Sequence, residues 1–306
     1  MEKQKSKWHT AIKLILILAI ISFVVSWIIS FFIGTDIIDG NVAIIPISGV
    51  IMSEKTRSFG QSIASAPSIV GFIEEADRNP KIKAVIFEIN SPGGTPVGSE
   101  EIVSAIKKLN KTSVAYIKDI GASGAYWVAS ATDYIFASRM SITGSVGVIG
   151  SYMEFSGLLK DYNVTYQRLV AGKYKDIGSP FKELTYDEER ILQKQIDLMQ
   201  EYFLDDVLKN RNLPKERIEE VKTAKIFSGI EAKEAGLIDE FGGKEEAIKF
   251  IEDRLNITAE TSEFAEKTSL LDVLSEIMNE KSFFVGKGIG SSMLEPRSSN
   301  RIEVWT

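Results

Sequence analysis

The apolar residues of the chain fall into one long run and a series of short ones. The long run, Leu14–Ile33, contains twenty residues and no charge. A helix of this length rises about 30 Å, which is the thickness of the hydrocarbon core of a lipid bilayer. The run therefore predicts a transmembrane helix. It is longer than the roughly 7–15 apolar residues of a cleaved signal peptide and does not end in small residues, which favours an uncleaved anchor.

The charges that flank this run predict its orientation. Four lysines and one glutamate precede it, in residues 1–13, and two aspartates follow it in the short linker 34–40. Because positive charge is retained on the cytoplasmic side, we expect the N-terminus in the cytoplasm and the chain beyond the linker outside it. The protein is thus expected in the cell membrane, with a single pass through the lipid bilayer.

Between residues 41 and 255 the short apolar runs alternate with amphipathic segments. Five runs are predicted as strands: Asn41–Ser48, Ala84–Ile89, Ser113–Ile117, Asp133–Ala137 and Thr165–Val170. Four segments are predicted as helices, before a shorter helix–strand–helix unit: Ile63–Arg78, Ser99–Leu109, Ser123–Ala131 and Tyr186–Leu208. This alternation predicts an α/β fold with a parallel sheet covered by helices. Residues 256–306 are expected to form an arm or tail with a short helix at Leu270–Met278.

The amino-acid composition argues against several classes of partner, cofactor and catalytic residue. The chain of 306 residues is 44% hydrophobic and 25% charged, as expected for a folded protein. A net charge of −6 argues against nucleic acid as a partner. The sequence has no cysteine, which excludes disulfides, thiolate metal sites and a cysteine nucleophile. No phosphate-binding loop or dinucleotide-binding glycine motif is present, so we expect neither a nucleotide cofactor nor a metal.

Three glycine-containing turns each follow a predicted strand, at Ser91–Gly94, Gly121–Gly124 and Thr143–Gly147. Ligand sites in open α/β sheets lie at the carboxyl ends of strands, where such turns meet. Ser123 stands between small residues at the start of a predicted helix, whose unpaired amides favour developing negative charge. Serine is also a common helix N-cap, so this turn alone is a weak signal. The first turn can offer a second amide, and two donors on two turns are what an oxyanion hole requires.

A nucleophilic serine needs a base, and the single histidine of the sequence, His9, precedes the predicted transmembrane run. A Ser-His-Asp triad is therefore impossible in this topology. Lysine is the remaining base, but at an ordinary pKa near 10.4 only about 0.04% of a lysine is neutral at pH 7. Burial lowers such a pKa by about 3 units. The segment Gly172–Pro180 has the glycine-lined, semi-apolar character that a working lysine requires.

Five motifs occur in the order that one protein family would give them. They are NSPGG (90–94), GASGAYW (121–127), TGSVGVIG (143–150), GKYKDIGSP (172–180) and IFSGIEAKEAGLIDEFGG (226–243). Together they resemble the signal peptide peptidase A (SppA) family of membrane-anchored serine proteases. The resemblance covers about residues 40 to 255 and implies a ClpP/crotonase-like fold.

The resemblance also implies roles for individual positions. Ser123 matches the nucleophile of the family, Lys175 its general base, and Ser145 a serine that hydrogen-bonds the lysine. The oxyanion hole is matched by three backbone positions: Gly94, with Gly93 beside it, and Gly124. Lys173 lies only two residues from Lys175, so the register of the base rests on the tyrosine between them.

The family resemblance implies partners as well. The substrates would be released signal peptides or other apolar peptides at the membrane. Family members of this single length place serine and lysine on different subunits of a ring-shaped homo-oligomer. We therefore expect Ser123 and Lys175 of one chain to be too far apart to touch.

Two other functions fit the same fold. A crotonase-type acyl-CoA enzyme shares the paired amides but needs no serine nucleophile, and its substrate is cytosolic whereas this domain is expected outside. A non-catalytic membrane scaffold would show no peptidase activity. A covalent serine probe separates both from a protease.

Overall fold

The computed structural model describes residues 2–33, 40–54 and 62–265. Helix α1, Glu2–Ile33, contains the predicted transmembrane run. Among the described residues no helix meets the combined length and apolarity needed to cross a membrane. The transmembrane helix therefore stays a prediction. Most of the predicted linker and most of the predicted C-terminal arm, including its helix at Leu270–Met278, lie outside the described residues.

The remaining elements alternate as the sequence predicts. The strands are β1 Val42–Ser48, β2 Val50–Met52, β3 Ile63–Ser65, β4 Ala84–Ser91, β5 Thr112–Ala122, β6 Tyr134–Ala137, β7 Ile142–Gly144, β8 Ile226–Ser228, β9 Glu240–Phe241 and β10 Thr261–Glu263. The helices are α2 Ala66–Arg78, α3 Pro96–Lys108, α4 Gly124–Ser130, α5 Ser156–Asp161, α6 Tyr186–Asn210, α7 Lys215–Lys222, α8 Gly229–Glu234 and α9 Lys244–Leu255.

The main sheet is almost entirely parallel. Its strand order is β10-β1-β4-β5-β6-β9, with β7 paired parallel to the end of β5 and β8 antiparallel to β7. The mixed α/β architecture with a mostly parallel sheet is therefore confirmed, and it fits the ClpP/crotonase-like fold that the resemblance implies. Strand β10 lies within the residues predicted as an arm, and its pairing with β1 extends the sheet to residue 263.

Both faces of the sheet are buried, as parallel sheets require. On one face Ile45, Phe87 and Ile117 belong to the larger core cluster, together with apolar residues of α2, α3 and α4. On the other face Ile44 and Ile86 belong to a smaller cluster with residues of α9. Because successive side chains of a strand point to opposite faces, each central strand contributes to both layers.

Strand β5 connects the sheet to the site. Its residues 114–117 pair with β6, and its last residues pair with β7, in the register Ile120↔Ile142 to Ala122↔Gly144. The strand is eleven residues long, more than twice the length of the run predicted from Ser113 to Ile117. The additional residues carry the chain directly into Ser123, which helix α4 then follows.

The predicted strand Thr165–Val170 is wrong. These residues form no strand and are exposed along their whole length, with Leu169 96% exposed. The run has the composition of a strand, but it lies in the segment 148–185, which contains only the short helix α5. A β-like run needs a sheet edge with which to pair, and this segment pairs with none among the described strands.

A carboxylate at the N-terminus of α8 contributes stability that depends on pH. The Glu231 carboxylate accepts hydrogen bonds from the Ser228 amide (2.8 Å) and hydroxyl (2.9 Å) and from Lys225 Nζ (3.2 Å). These bonds, with the Ser228 amide first, lower the pKa of Glu231 from 4.5 to about 2. A depressed carboxyl pKa stabilises the fold above the unfolded-state value, and this stabilisation is lost as the pH falls toward about 2. An NMR titration of Glu231 should show its midpoint near 2, and a midpoint near 4.5 would contradict the cap.

Candidate active site

Ser123 occupies a strained turn between β5 and α4. Its backbone angles are φ 55° and ψ −129°, a region that residues other than glycine rarely adopt. Its amide donates to the Gly144 carbonyl (2.8 Å), and its own carbonyl accepts from the Trp127 amide (3.0 Å). Its side chain does not cap α4. The turn is therefore fixed by backbone hydrogen bonds, and the Ser123 side chain does not act as an ordinary N-cap of α4.

Ser123 lines a cavity of about 100 Å³. The walls include aromatic and aliphatic side chains from α4, α6 and the loop after β7: Trp127, Val148, Ile149, Met199 and Phe203. Trp127 stacks on Phe203 with 4.9 Å between ring centroids, and its indole nitrogen donates to Asp206 at 2.7 Å. The cavity beside Ser123 thus suits an apolar side chain.

Two backbone amides without intramolecular acceptors lie beside Ser123. Within the described part of the chain, neither the Gly94 amide nor the Gly124 amide donates a hydrogen bond. The two positions are close: a Cβ built on Gly124 would lie 3.5 Å from the Gly94 nitrogen. Strand β2 holds the first of them, because Ile51 donates to the Gly93 carbonyl (2.9 Å) and accepts from the Thr95 amide (2.9 Å). The pair has the arrangement that an oxyanion hole needs.

Gly93 differs from these two positions. Its amide donates to Ser91 Oγ at 3.1 Å, so it is already engaged. Its φ of 96° favours glycine, and a Cβ there would lie 2.8 Å from the Gly124 nitrogen and 2.9 Å from Ser123 Cβ. The absence of a side chain at Gly93 therefore allows the two turns to approach each other.

Ser145 lies next to the Ser123 turn. It follows Gly144, whose carbonyl binds the Ser123 amide, and it adopts a positive φ of 52°. Its own amide donates to the Lys225 carbonyl at 2.9 Å, just before β8. The residue is half-buried.

Lys175 lies elsewhere. It belongs to a turn in the segment 148–185, it is exposed, and it does not line the cavity at Ser123. No hydrogen bond of the described residues joins it to Ser123 or Ser145. The residues that line the cavity include no Lys, Arg, His, Asp or Glu. Among the described residues, the cavity of one chain therefore holds Ser123 and two unengaged amides but no basic side chain.

Comparison with known proteins identifies the chain. Residues 105–258, which include Ser123, Ser145 and Lys175, match peptidase family S49. A candidate protease from Methanocaldococcus jannaschii is 34% identical over 251 residues, which cover 80% of this chain and 80% of that protein. The chain belongs to peptidase family S49. The resemblance to the SppA family is thereby confirmed, and this S49 chain is a serine peptidase.

Two further relatives of the S49 chain carry the SppA name. A candidate signal peptide peptidase SppA from Enterococcus faecium is 27% identical over 253 residues, 81% of this chain and 70% of that protein. The chloroplastic serine protease SPPA of Arabidopsis thaliana is 30% identical over 262 residues, which cover 83% of this chain but 37% of that protein. Against these relatives, neither the acyl-CoA enzyme nor the non-catalytic scaffold gains support.

Two contacts of the S49 site were not predicted from the sequence. Ser99, predicted only as the start of a helix, is fully buried beneath the Ser123 turn, and a Cβ on Gly124 would lie 2.1 Å from its hydroxyl. Ile51 holds the Gly94 turn in place from strand β2. Neither residue type carries a chemical signal. Only the pairing of β2 with the Gly94 turn and the packing of α3 against α4 bring them to the site.

Proposed function

We propose that this S49 peptidase is a membrane-anchored endopeptidase that cleaves released signal peptides and other apolar peptides with a Ser123–Lys175 dyad. Serine and lysine would come from different chains of a ring-shaped homo-oligomer. The observation that carries the proposal is the incomplete site of one chain, which has a strained serine and two amides but no base in its cavity. In this proposal the base enters from a neighbouring chain.

The segment 148–185 supports the assembly. It carries Lys175, and it also exposes an unusual number of large apolar side chains: Ile149, Met153, Leu158, Tyr162, Val164 and Leu169. Ile149 is 87% exposed, and it lines the Ser123 cavity as well. Extensive exposed apolar surface marks sites of protein association. A second copy packed on segment 148–185 would cover this surface and carry a lysine toward a neighbouring Ser123.

The chemistry then balances with these groups alone. Neutral Lys175 takes the proton of Ser123 Oγ as the oxygen attacks the peptide carbonyl, and the amides of Gly94 and Gly124 hold the oxyanion. The ammonium returns its proton to the leaving amine. The same lysine deprotonates the water that releases the acyl group and passes that proton to Ser123 Oγ, while Ser145 orients the lysine amine. Coverage of a lysine by a neighbouring chain favours its neutral form, because desolvation disfavours the charged one.

The apolar cavity and the predicted anchor support the substrate class. Trp127, Phe203 and Met199 favour an apolar side chain beside the scissile bond. The predicted transmembrane run, Leu14–Ile33, would keep the enzyme at the surface where apolar peptides collect.

A covalent probe tests the proposal on the full-length protein in detergent. A fluorophosphonate should label Ser123, and Ser123→Ala should lose the label together with at least a thousandfold of kcat. Ser104→Ala, on the exposed face of α3, is the matched control and should behave as wild type. A label that persists on Ser123→Ala would refute the nucleophile.

The same preparation tests the substrate class. An apolar signal-peptide sequence should be cleaved with a higher kcat/KM than a polar peptide of equal length. Equal values would contradict the proposed substrate.

A further inference from the structure

We propose that Asp176 is a positioning residue for Lys175. It is held by a chain of alternating charges that anchors residues 172–179, the lysine turn, to the start of α6. The inference rests on the proposed function, in which Lys175 is the base. It concerns a carboxylate that does not touch the reacting atoms. Its role would be to fix the backbone from which the lysine side chain projects.

The lysine turn has little regular structure of its own. Its backbone bonds are local: Lys175 donates to the Gly172 carbonyl (3.2 Å) and Ser179 to the Asp176 carbonyl (3.0 Å). Gly172 and Gly178, on either side of the lysine, both have positive φ, at 100° and 77°. No strand or helix passes through the turn. Apart from the Phe155 amide, which donates to the Pro180 carbonyl just after the turn (2.7 Å), its placement depends on side-chain contacts with the rest of segment 148–185 and with α6.

Asp176, the next residue after Lys175, makes the strongest of these contacts. Arg168 Nε lies 2.6 Å from Asp176 Oδ2, and Arg168 Nη2 lies 2.8 Å from Oδ1, a two-point contact of guanidinium and carboxylate. The Asp176 side chain is 12% exposed. Such paired, charge-assisted bonds fix orientation as well as distance. The Arg168 guanidinium also holds the pKa of Asp176 below its ordinary value, so the carboxylate stays charged at neutral pH.

The chain of charges continues to α6. Lys182 Nζ lies 3.9 Å from Asp176 Oδ1 and 2.6 Å from Glu188 Oε1. The other Glu188 oxygen accepts from the Thr185 amide and hydroxyl, both at 3.0 Å, and so closes the capping box of α6. The Lys182 and Glu188 side chains are only 18% and 4% exposed. The lysine turn is thus tied to the first turn of a 25-residue helix that also supplies walls of the Ser123 cavity.

A second ion pair on the same turn supplies a comparison. Lys173 Nζ lies 3.1 Å from an Asp187 oxygen, but these side chains are 68% and 53% exposed. Exposed pairs of this kind contribute little to structure. Asp187 precedes Glu188 in the chain, so the two pairs span the same turn and the same end of α6. They differ in burial and in connection to the Arg168–Asp176 contact.

The test compares Asp176→Asn with Asp187→Asn in the full-length oligomer. Asp176→Asn should lower kcat at least tenfold and leave KM within twofold, because a displaced base acts on the chemical step and not on peptide binding. The rate of Ser123 labelling by a fluorophosphonate should fall by the same factor. Oligomer size and Tm should stay as in Asp187→Asn, which should retain wild-type kcat.

A double variant tests the contact itself. Arg168→Ala should reproduce the loss of Asp176→Asn, and the double variant should lose little more than either one, because both remove one contact. Arg168→Lys, which keeps the charge but not the two-point geometry, should recover part of the rate.

The outcomes separate this inference from the proposed function. Wild-type kcat in Asp176→Asn, with kcat abolished in Lys175→Ala, would overturn the positioning role alone. Loss of the oligomer or of Tm in Asp176→Asn, in step with activity, would overturn it too, because the residue would then be structural. Full activity in Lys175→Ala would overturn both.

Discussion

Chains that carry Ser123→Ala and chains that carry Lys175→Ala are expected to regain peptidase activity when they assemble together, although each variant alone is at least a thousandfold less active than wild type. In the proposed ring of head-to-tail contacts, a site would work when one chain supplies the serine and its neighbour the lysine. With equal amounts of the two variants and random assembly, about a quarter of the sites meet this condition. Co-expression with two affinity tags, purification through both and a peptidase assay would measure the recovery.

The control for this experiment lies on the same turn. Lys173→Ala removes an exposed lysine two residues before Lys175, and it should retain wild-type activity. Inactive mixed rings, in a sample that passes both affinity steps, would refute the shared site. An inactive Lys173→Ala variant beside an active Lys175→Ala variant would show that the register of the base is wrong.

Gly93→Ala is expected to lower kcat at least a hundredfold, which is the effect of losing one oxyanion donor. The added Cβ would lie 2.8 Å from the Gly124 nitrogen and 2.9 Å from Ser123 Cβ, so the two turns must separate. The φ of 96° adds backbone strain of about 1 kcal/mol or more. Steady-state kinetics and thermal unfolding of the same preparation would separate the loss of rate from the loss of stability.

Gly71→Ala is the matched substitution. Gly71 lies inside α2, and a Cβ there would meet no atom within 4 Å. Alanine in a helix interior stabilises by about 0.5–1 kcal/mol relative to glycine, so this variant should have a raised Tm and unchanged kcat. If Gly93→Ala kept kcat within threefold of wild type, the close approach of the two turns would not matter for catalysis.

The sequence predicts the parts of this fold that depend on local pattern. The buried strands β1, β4, β5 and β6 are almost continuously apolar, and glycine-containing turns lie at the ends of β4, β5 and the short β7. Thr165–Val170 shows the limit of such patterns. Its residues suit a strand, but strand formation is decided by whether a sheet edge is available, and that depends on the whole chain.

The candidate site shows the same limit at the level of single bonds. The turn of Gly93 and Gly94 can be recognised from its residues, but the sequence does not indicate which amide is occupied. That is decided by Ser91, whose hydroxyl takes the Gly93 amide, and by Ile51, which pairs on both sides of Gly94. Likewise, the roles of Arg168 and Glu188 could not be predicted from their residue types, because their contacts form only when segment 148–185 packs against α6.

The exposed position of Lys175 has a consequence for the cell. Under the proposed arrangement a newly made chain carries a silent serine, and no propeptide is needed to keep it so. The onset of proteolysis would follow how densely copies gather in one patch of lipid, with a steeper than linear dependence on their number. Isolated copies on their way to the membrane would then leave other proteins uncut.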